Sequence, residues 1–146
     1  MAEYNVLDIA KYIKKNMAIK GHKQLQKLVY YAYAWYLVIM NKDGQLRNKL
    51  FDSDIEAWIH GPVSPQLYKM YGFLSIYDEK EINEKDKKIL DMIIARYGGF
   101  SGEELERISH TEKPWLEARC GFTPNQRCTK KIDDKEIFDY FSARIR

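Results

Sequence analysis

The amino-acid sequence predicts a mainly α fold: a single compact helical domain around a buried central helix, with a small two-stranded β element. Three observations carry this. Leu28 to Met40, "LVYYAYAWYLVIM", is apolar on every side of a helix, a pattern that requires enclosure by other helices. Several shorter segments repeat apolar residues at helical spacing behind cap-like residues. Only two stretches, 54–59 and 128–132, read as extended.

Taken in order, Asn5 caps a first helix with Asp8 as the returning acid of a capping box. Val6, Ile9, Ala10 and Ile13 fall on one face of it. Gly21 interrupts the chain, and the central helix starts near Lys23. "NKDGQLRNKLF" is turn chemistry around Asp43-Gly44. Ile55, Ala57 and Ile59 share one face of a short strand, with Trp58 opposite. "HGPVSP" then makes a stiff corner: Gly61 allows unusual backbone geometry, Pro62 restricts Gly61, Ser64 caps and Pro65 opens a helix through Tyr71. Residues 72–82 read as a polar, mobile loop. Asn83 with Asp86 starts a helix that Gly98-Gly99 end. Ser101 with Glu104 caps another, and Pro114 opens a short one carrying Trp115. Residues 128–132 are expected to pair with 54–59, and Asp133 with Glu136 to cap a last helix burying Ile137, Phe138 and Phe141. The whole chain, 1–146, reads as one domain with its core at about 6–141.

Composition narrows the function. A net charge of +3 is too small to argue for nucleic acid without a clustered patch. Candidate patches are Lys11, Lys14, Lys15, Lys20, Lys23 and Lys27 near one end, and Arg127, Lys130, Lys131, Arg144 and Arg146 near the other. Neither a secretory signal nor a membrane-length apolar run is present, so a cytoplasmic protein with no membrane partner is expected. Cys120 and Cys128 form no CxxC pair, and together with His60 and His110 they lack the short spacing of a zinc site, so no metal is expected. His60 has Asp54 and Glu56 nearby and His110 has Glu112, which permits acid–base chemistry, but no activated nucleophile accompanies them. No catalytic residue and no cofactor is assigned, and the expectation is a protein that is not an enzyme.

Four blocks in order carry a family resemblance: "LQKLVYYAYAWYLV" (25–38), "LFDSDIEAWIHGPVSPQLY" (50–68), "LERISHTEKPWLEAR" (105–119) and "IFDYF" (137–141). They resemble the Panacea domain, the SocA-like antitoxin family whose members are often described as phage-associated proteins. The resemblance implies a bacterial antitoxin that neutralises a toxin encoded nearby, by direct binding or by delivering it for proteolysis. Its partners would then be the cognate toxin and, for an adaptor, a protease. It also implies a prophage or mobile-element setting. Trp58, His60, Gly61, Pro62, Val63, Pro65 and Tyr68 match one family box, and His110, Glu112, Pro114 and Trp115 match the other. The two boxes are expected to meet, and either to present a partner surface or to pack inside as fold signatures. Lys113 stands where the family commonly has an acidic cap, an exchange expected to weaken that helix start by about 1 kcal/mol. The alternative function is a nucleic-acid-binding regulator of a prophage or mobile-element operon.

Overall fold

The computed structural model describes residues 2–145. Its hub is the long helix α2 (His22–Ile39), against which α1 (Val6–Asn16), α4 (Glu84–Tyr97), α5 (Gly102–Ser109) and α7 (Asp134–Ser142) pack. Two short helices, α3 (Pro65–Met70) and α6 (Lys113–Ala118), flank an antiparallel hairpin of β1 (Glu56–Trp58) and β2 (Gly61–Val63). This is the expected mainly α fold with a small β element. Leu25, Leu28, Tyr31, Ala32 and Leu37 are fully buried, so α2 is enclosed on every side as its composition requires. Among the described residues no helix is long and apolar enough to cross a membrane.

Local signals hold where both partners lie within one turn. Asn5 and Asp8 form a complete capping box, as do Ser101 and Glu104. Ser64 Oγ accepts from the Leu67 amide at 3.2 Å, and Pro65 occupies the first turn of α3, where its missing donor costs nothing. At α4, Asn83 caps the Asp86 amide, but the Asp86 carboxylate accepts from the Asn83 side-chain amide at 3.0 Å and the Tyr4 hydroxyl at 2.8 Å, while the Asn83 backbone amide donates to the Tyr4 hydroxyl.

Four expectations need correction. The regular partner of β1 is β2, not residues 128–132. Pro62 is admitted to this strand because it lies opposite Ala57, whose own amide points the other way, to the Lys130 carbonyl at 2.9 Å. Residues 128–132 do reach the outer edge of β1, but as one bridge, Glu56 to Lys131. The ladder stops there because the Ala57 carbonyl accepts from the Arg119 guanidinium at 2.9 Å. Secondly, the expected loop at 72–82 begins as a 3-10 helix, Tyr71–Ile76, with Leu74 buried. The following residues are tied to α1, with the Tyr77 hydroxyl and the Lys80 amide both donating to Asp8 Oδ1. Thirdly, Asp133 is the first residue before α7 but makes no capping bond with its side chain. The neighbouring Asp134 instead accepts from the Tyr33 hydroxyl at 2.8 Å and pairs with Lys49 at 3.0 Å. Finally, Lys113 is the first residue of α6, and Glu112 holds the cap position.

Candidate functional site

The hairpin tip is where the two sequence boxes meet. Ile59 and His60 turn the chain with negative φ, since only glycines among the described residues have positive φ. Gly61 at φ +109° then supplies the twist that brings the strands together. A methyl group here would fall 2.6 Å from Lys27 Cε and 3.0 Å from Ser109 Oγ. Glycine is therefore required twice, for conformation and for space.

Helix α6 fastens the outer edge of the hairpin. Trp115 Nε1 donates to the Trp58 carbonyl at 2.8 Å, and Arg119, lying over the Trp115 ring, donates to Ala57 and to the Thr123 and Gln126 carbonyls. Buried Arg119 thus closes the 119–126 turn onto β1 through carbonyl acceptors. His110 stacks on Trp115 with ring centres 4.0 Å apart, and its Nε2 is buried without a partner among the described residues. Burial first, and the nearby Lys27 and Arg119, hold its imidazole below the usual range despite Glu106.

Helix α2 fastens the inner edge. Gln26 donates to the Ser64 carbonyl at 3.1 Å and accepts from the Ser64 amide at 2.8 Å, which continues the strand pairing with a side chain. Lys27 donates to the Pro62 carbonyl at 3.3 Å. Desolvation pushes its ammonium down to about 7, against the pull of Glu106. Glu106 Oε1 pairs with Lys23 at 2.7 Å and Oε2 with His60 Nδ1 at 3.0 Å. Burial alone would raise this carboxyl, but Lys23 and His60 outweigh it and hold it low.

The boxes therefore split by direction. Gly61, Pro62, Val63, Glu112, Pro114 and Trp115 face inward, and Trp58, Pro65 and His110 are half-buried. Only Tyr68, 57% exposed, and the His60 side chain, 67% exposed, face solvent. Sequence neighbours do not become chemical partners. His60 reaches Glu106 rather than Asp54 or Glu56. Glu112 turns from His110 to accept from the Tyr31 hydroxyl at 2.9 Å, with burial raising its carboxyl to about 7.

Outside, a ledge of rings runs from Trp58 to Tyr68 (5.0 Å between centres), to His22 (5.3 Å) and on to Tyr71 (4.0 Å). His22 was not among the sequence-predicted site residues. Its helical spacing to Gln26 was visible, but its stacking partners lie more than forty residues away. Among the described residues His60 hydrogen-bonds to Glu106 and no nucleophile is hydrogen-bonded to His60 or His110. The basic clusters are also partly spent: Lys11 and Lys15 pair with Glu79, Lys23 with Glu103 and Glu106, and Lys131 with Asp54, while Lys27 is buried. Arg146 lies outside the described residues.

A stiff mount carrying a partly exposed aromatic strip is suited to contact with a protein. Comparison with known proteins agrees. The family described as "Antitoxin SocA-like, Panacea domain" matches residues 25–116, from the central helix through α6. That match covers the first two sequence blocks, reaches Leu116 within the third and leaves the terminal one, in α7, outside. Searches of curated proteins and of solved structures found no match. With more than half of its length matched, including both boxes at the hairpin, the chain belongs to the SocA-like antitoxin family of Panacea domains.

Proposed function

We propose that this chain is the antitoxin of a bacterial toxin–antitoxin pair, carried on a prophage or mobile element and acting in the cytoplasm. It neutralises a protein toxin encoded nearby through protein–protein contact and without catalysis of its own. Family membership is the observation that carries this reading. The geometry supports it by supplying a contact surface: Trp58, Tyr68, His22 and Tyr71 form a ledge whose backbone is held on both sides. Aromatic residues on a rigid mount lose little conformational entropy on binding, which is why such residues anchor interfaces.

The test begins with the genes flanking this one, each expressed alone and with it while growth is measured. A neighbour that arrests growth, with co-expression restoring it, supports the pair, and the absence of any toxic neighbour would sink it. Toxin abundance then separates two mechanisms. A toxin that persists in a stable complex is neutralised by occlusion, whereas one that disappears is delivered to a protease. Tyr68→Ala removes an exposed ring and should leave thermal unfolding unchanged while weakening the complex about tenfold. Unchanged affinity would remove the ledge from the interface.

A further inference from the structure

Beside the ledge lies a cavity of about 200 Å³ whose walls come from Trp58, Ile59 and Val63 of the hairpin and from buried Cys128 of the segment after α6. His60, Arg127 and Thr129, all exposed, complete its lining at the solvent side. We propose that this cavity is a specificity subsite that takes one large apolar side chain, of phenylalanine or leucine size, from an acidic segment of the protein partner. This rests on the antitoxin reading and adds the chemistry of what is recognised.

Size and shape come first. An apolar cavity of about 150 Å³ suffices to hold benzene, so this one accommodates a phenyl ring or a branched aliphatic group. Its walls are preformed. Trp115 and Arg119 fix the carbonyls of Trp58 and Ala57, and the Ala57 amide donates to the Lys130 carbonyl, two residues beyond Cys128 of the cavity wall. A pocket held this way needs little ordering when it is filled. It is also continuous with the aromatic ledge, because Trp58 forms one wall and packs edge-on against Tyr68. A segment crossing the ledge passes the mouth of the cavity.

Charge selects the flanking residues. Residues 119–131, "RCGFTPNQRCTKK", hold four basic side chains and no acid; Arg119 is buried on carbonyls and Lys131 pairs with Asp54, which leaves Arg127 and Lys130 at the surface. Arg127 on the rim has no carboxylate within ion-pair distance among the described residues, and Lys130 lies over the Phe122 ring rather than against an acid. The acids closest to the hairpin tip are already occupied: Glu56 accepts from the Trp58 indole at 2.8 Å, and Glu106 is shared by Lys23 and His60. The rim therefore favours anionic neighbours around an apolar anchor. Of the other cavities, that between α1 and residues 79–87 sets Asp8, Lys15, Glu79 and Lys87 beside Tyr12 and Ile82, so charged groups share its walls.

The test titrates the isotope-labelled full chain with three capped peptides, Glu-Glu-Phe-Glu-Glu, Glu-Glu-Ala-Glu-Glu and Lys-Lys-Phe-Lys-Lys, followed by NMR. The first should shift the Trp58 indole and Val63 signals and bind about tenfold more tightly than either of the others. Arg127→Glu should lose about tenfold for that peptide, and Thr129→Trp, which fills the cavity from an exposed position, should abolish its binding. Both variants should melt like the parent. Equal binding of the three peptides, or shifts away from the cavity, overturns the proposal. So does displacement of the first peptide by a short mixed-sequence DNA duplex, which would give the rim to nucleic acid. Self-association in sedimentation that Arg127→Glu removes would give it to a second copy of the chain. The two readings fail separately. If a flanking toxin is still neutralised by both variants while Tyr68→Ala loses it, the subsite falls and the antitoxin stands. If no flanking gene is toxic, the antitoxin reading falls and the peptide titration still decides the chemistry of the cavity.

Discussion

The two halves of α2 are buried to the same depth and built from different chemistry. In the first half Gln24, Gln26 and Lys27 are nearly inaccessible, and each reaches a backbone carbonyl elsewhere: Phe100, Ser64 and Pro62 respectively. In the second half the burial is aromatic and aliphatic, with Tyr31 stacked on Tyr97 at 4.2 Å and Trp35 edge-on to Phe141. The apolar half gains free energy from surface removed from water, roughly in proportion to area and indifferent to small shifts. The buried polar groups of the first half gain little net free energy, because each bond made replaces one to water, although Leu25 and Leu28 beside them are buried too. What it supplies is position: a buried donor satisfied only by one carbonyl holds the hairpin in one place. One half keeps the fold, and the other keeps the site.

Breaking each half separately sharpens this contrast. Leu37→Ala in the apolar half should cost about 3 kcal/mol in denaturant unfolding, as a cavity in a packed core does. The Trp58 and Ser64 amide signals of the hairpin should nevertheless stay in place. Gln26→Leu in the polar half should cost less, about 2 kcal/mol, from leaving the Ser64 amide and carbonyl unpaired. It should displace those same hairpin signals and weaken partner binding. Equal hairpin disturbance by both changes would defeat the division of labour.

The smallest effect has the opposite sign and depends on pH. The buried Lys27 ammonium titrates near 7 in the folded chain against an ordinary 10.5, so the folded state binds fewer protons between those values. Its contribution to stability is therefore fully present above about 10.5 and is lost as pH falls towards 7. Glu112 behaves conversely. Burial raises it from 4.5 to about 7, so its contribution is present below about 4.5 and is lost as pH rises through 7. Together they give a stability profile with a minimum near neutrality. Lys27→Met should raise stability at pH 7 by about 1 kcal/mol and flatten the alkaline limb while leaving the acidic limb. Unfolding midpoints measured from pH 4 to 10 check this, and an unchanged alkaline limb would show that Lys27 is not the group responsible.

How far the sequence could be read follows the range of the interactions. The caps at Asn5 and Ser101 were legible because box and backbone lie within four residues. The cap at Asp133 failed because its helix start is anchored instead by Asp134 through Tyr33, a hundred residues away. The hairpin was half legible. Its first strand and its glycine corner could be seen, but Gly61-Pro62-Val63 does not look like a strand. Pro62 is tolerated there only because it faces a position that asks for no donor. Likewise nothing local distinguishes the outward Tyr68 from the inward Trp115, both aromatic in a helix after a proline.

By itself, the order of residues determined a helical domain wound on one apolar helix, the helix starts capped by Asn5, Ser64 and Ser101, the stiff turn at Gly61 and the boxes that mark the antitoxin family. These depend on periodicity, backbone geometry and short-range hydrogen bonds. Only the tertiary structure decided that Arg119 cuts the sheet short, that His60 answers to Glu106, that His22 joins the aromatic ledge and that Arg127 and Cys128 border a cavity beside Trp58. Each of those joins residues far apart in the chain. Which of the available donors, acceptors and rings meet is set by how the helices pack around α2, since one buried carbonyl can satisfy only the partner that the packing delivers to it.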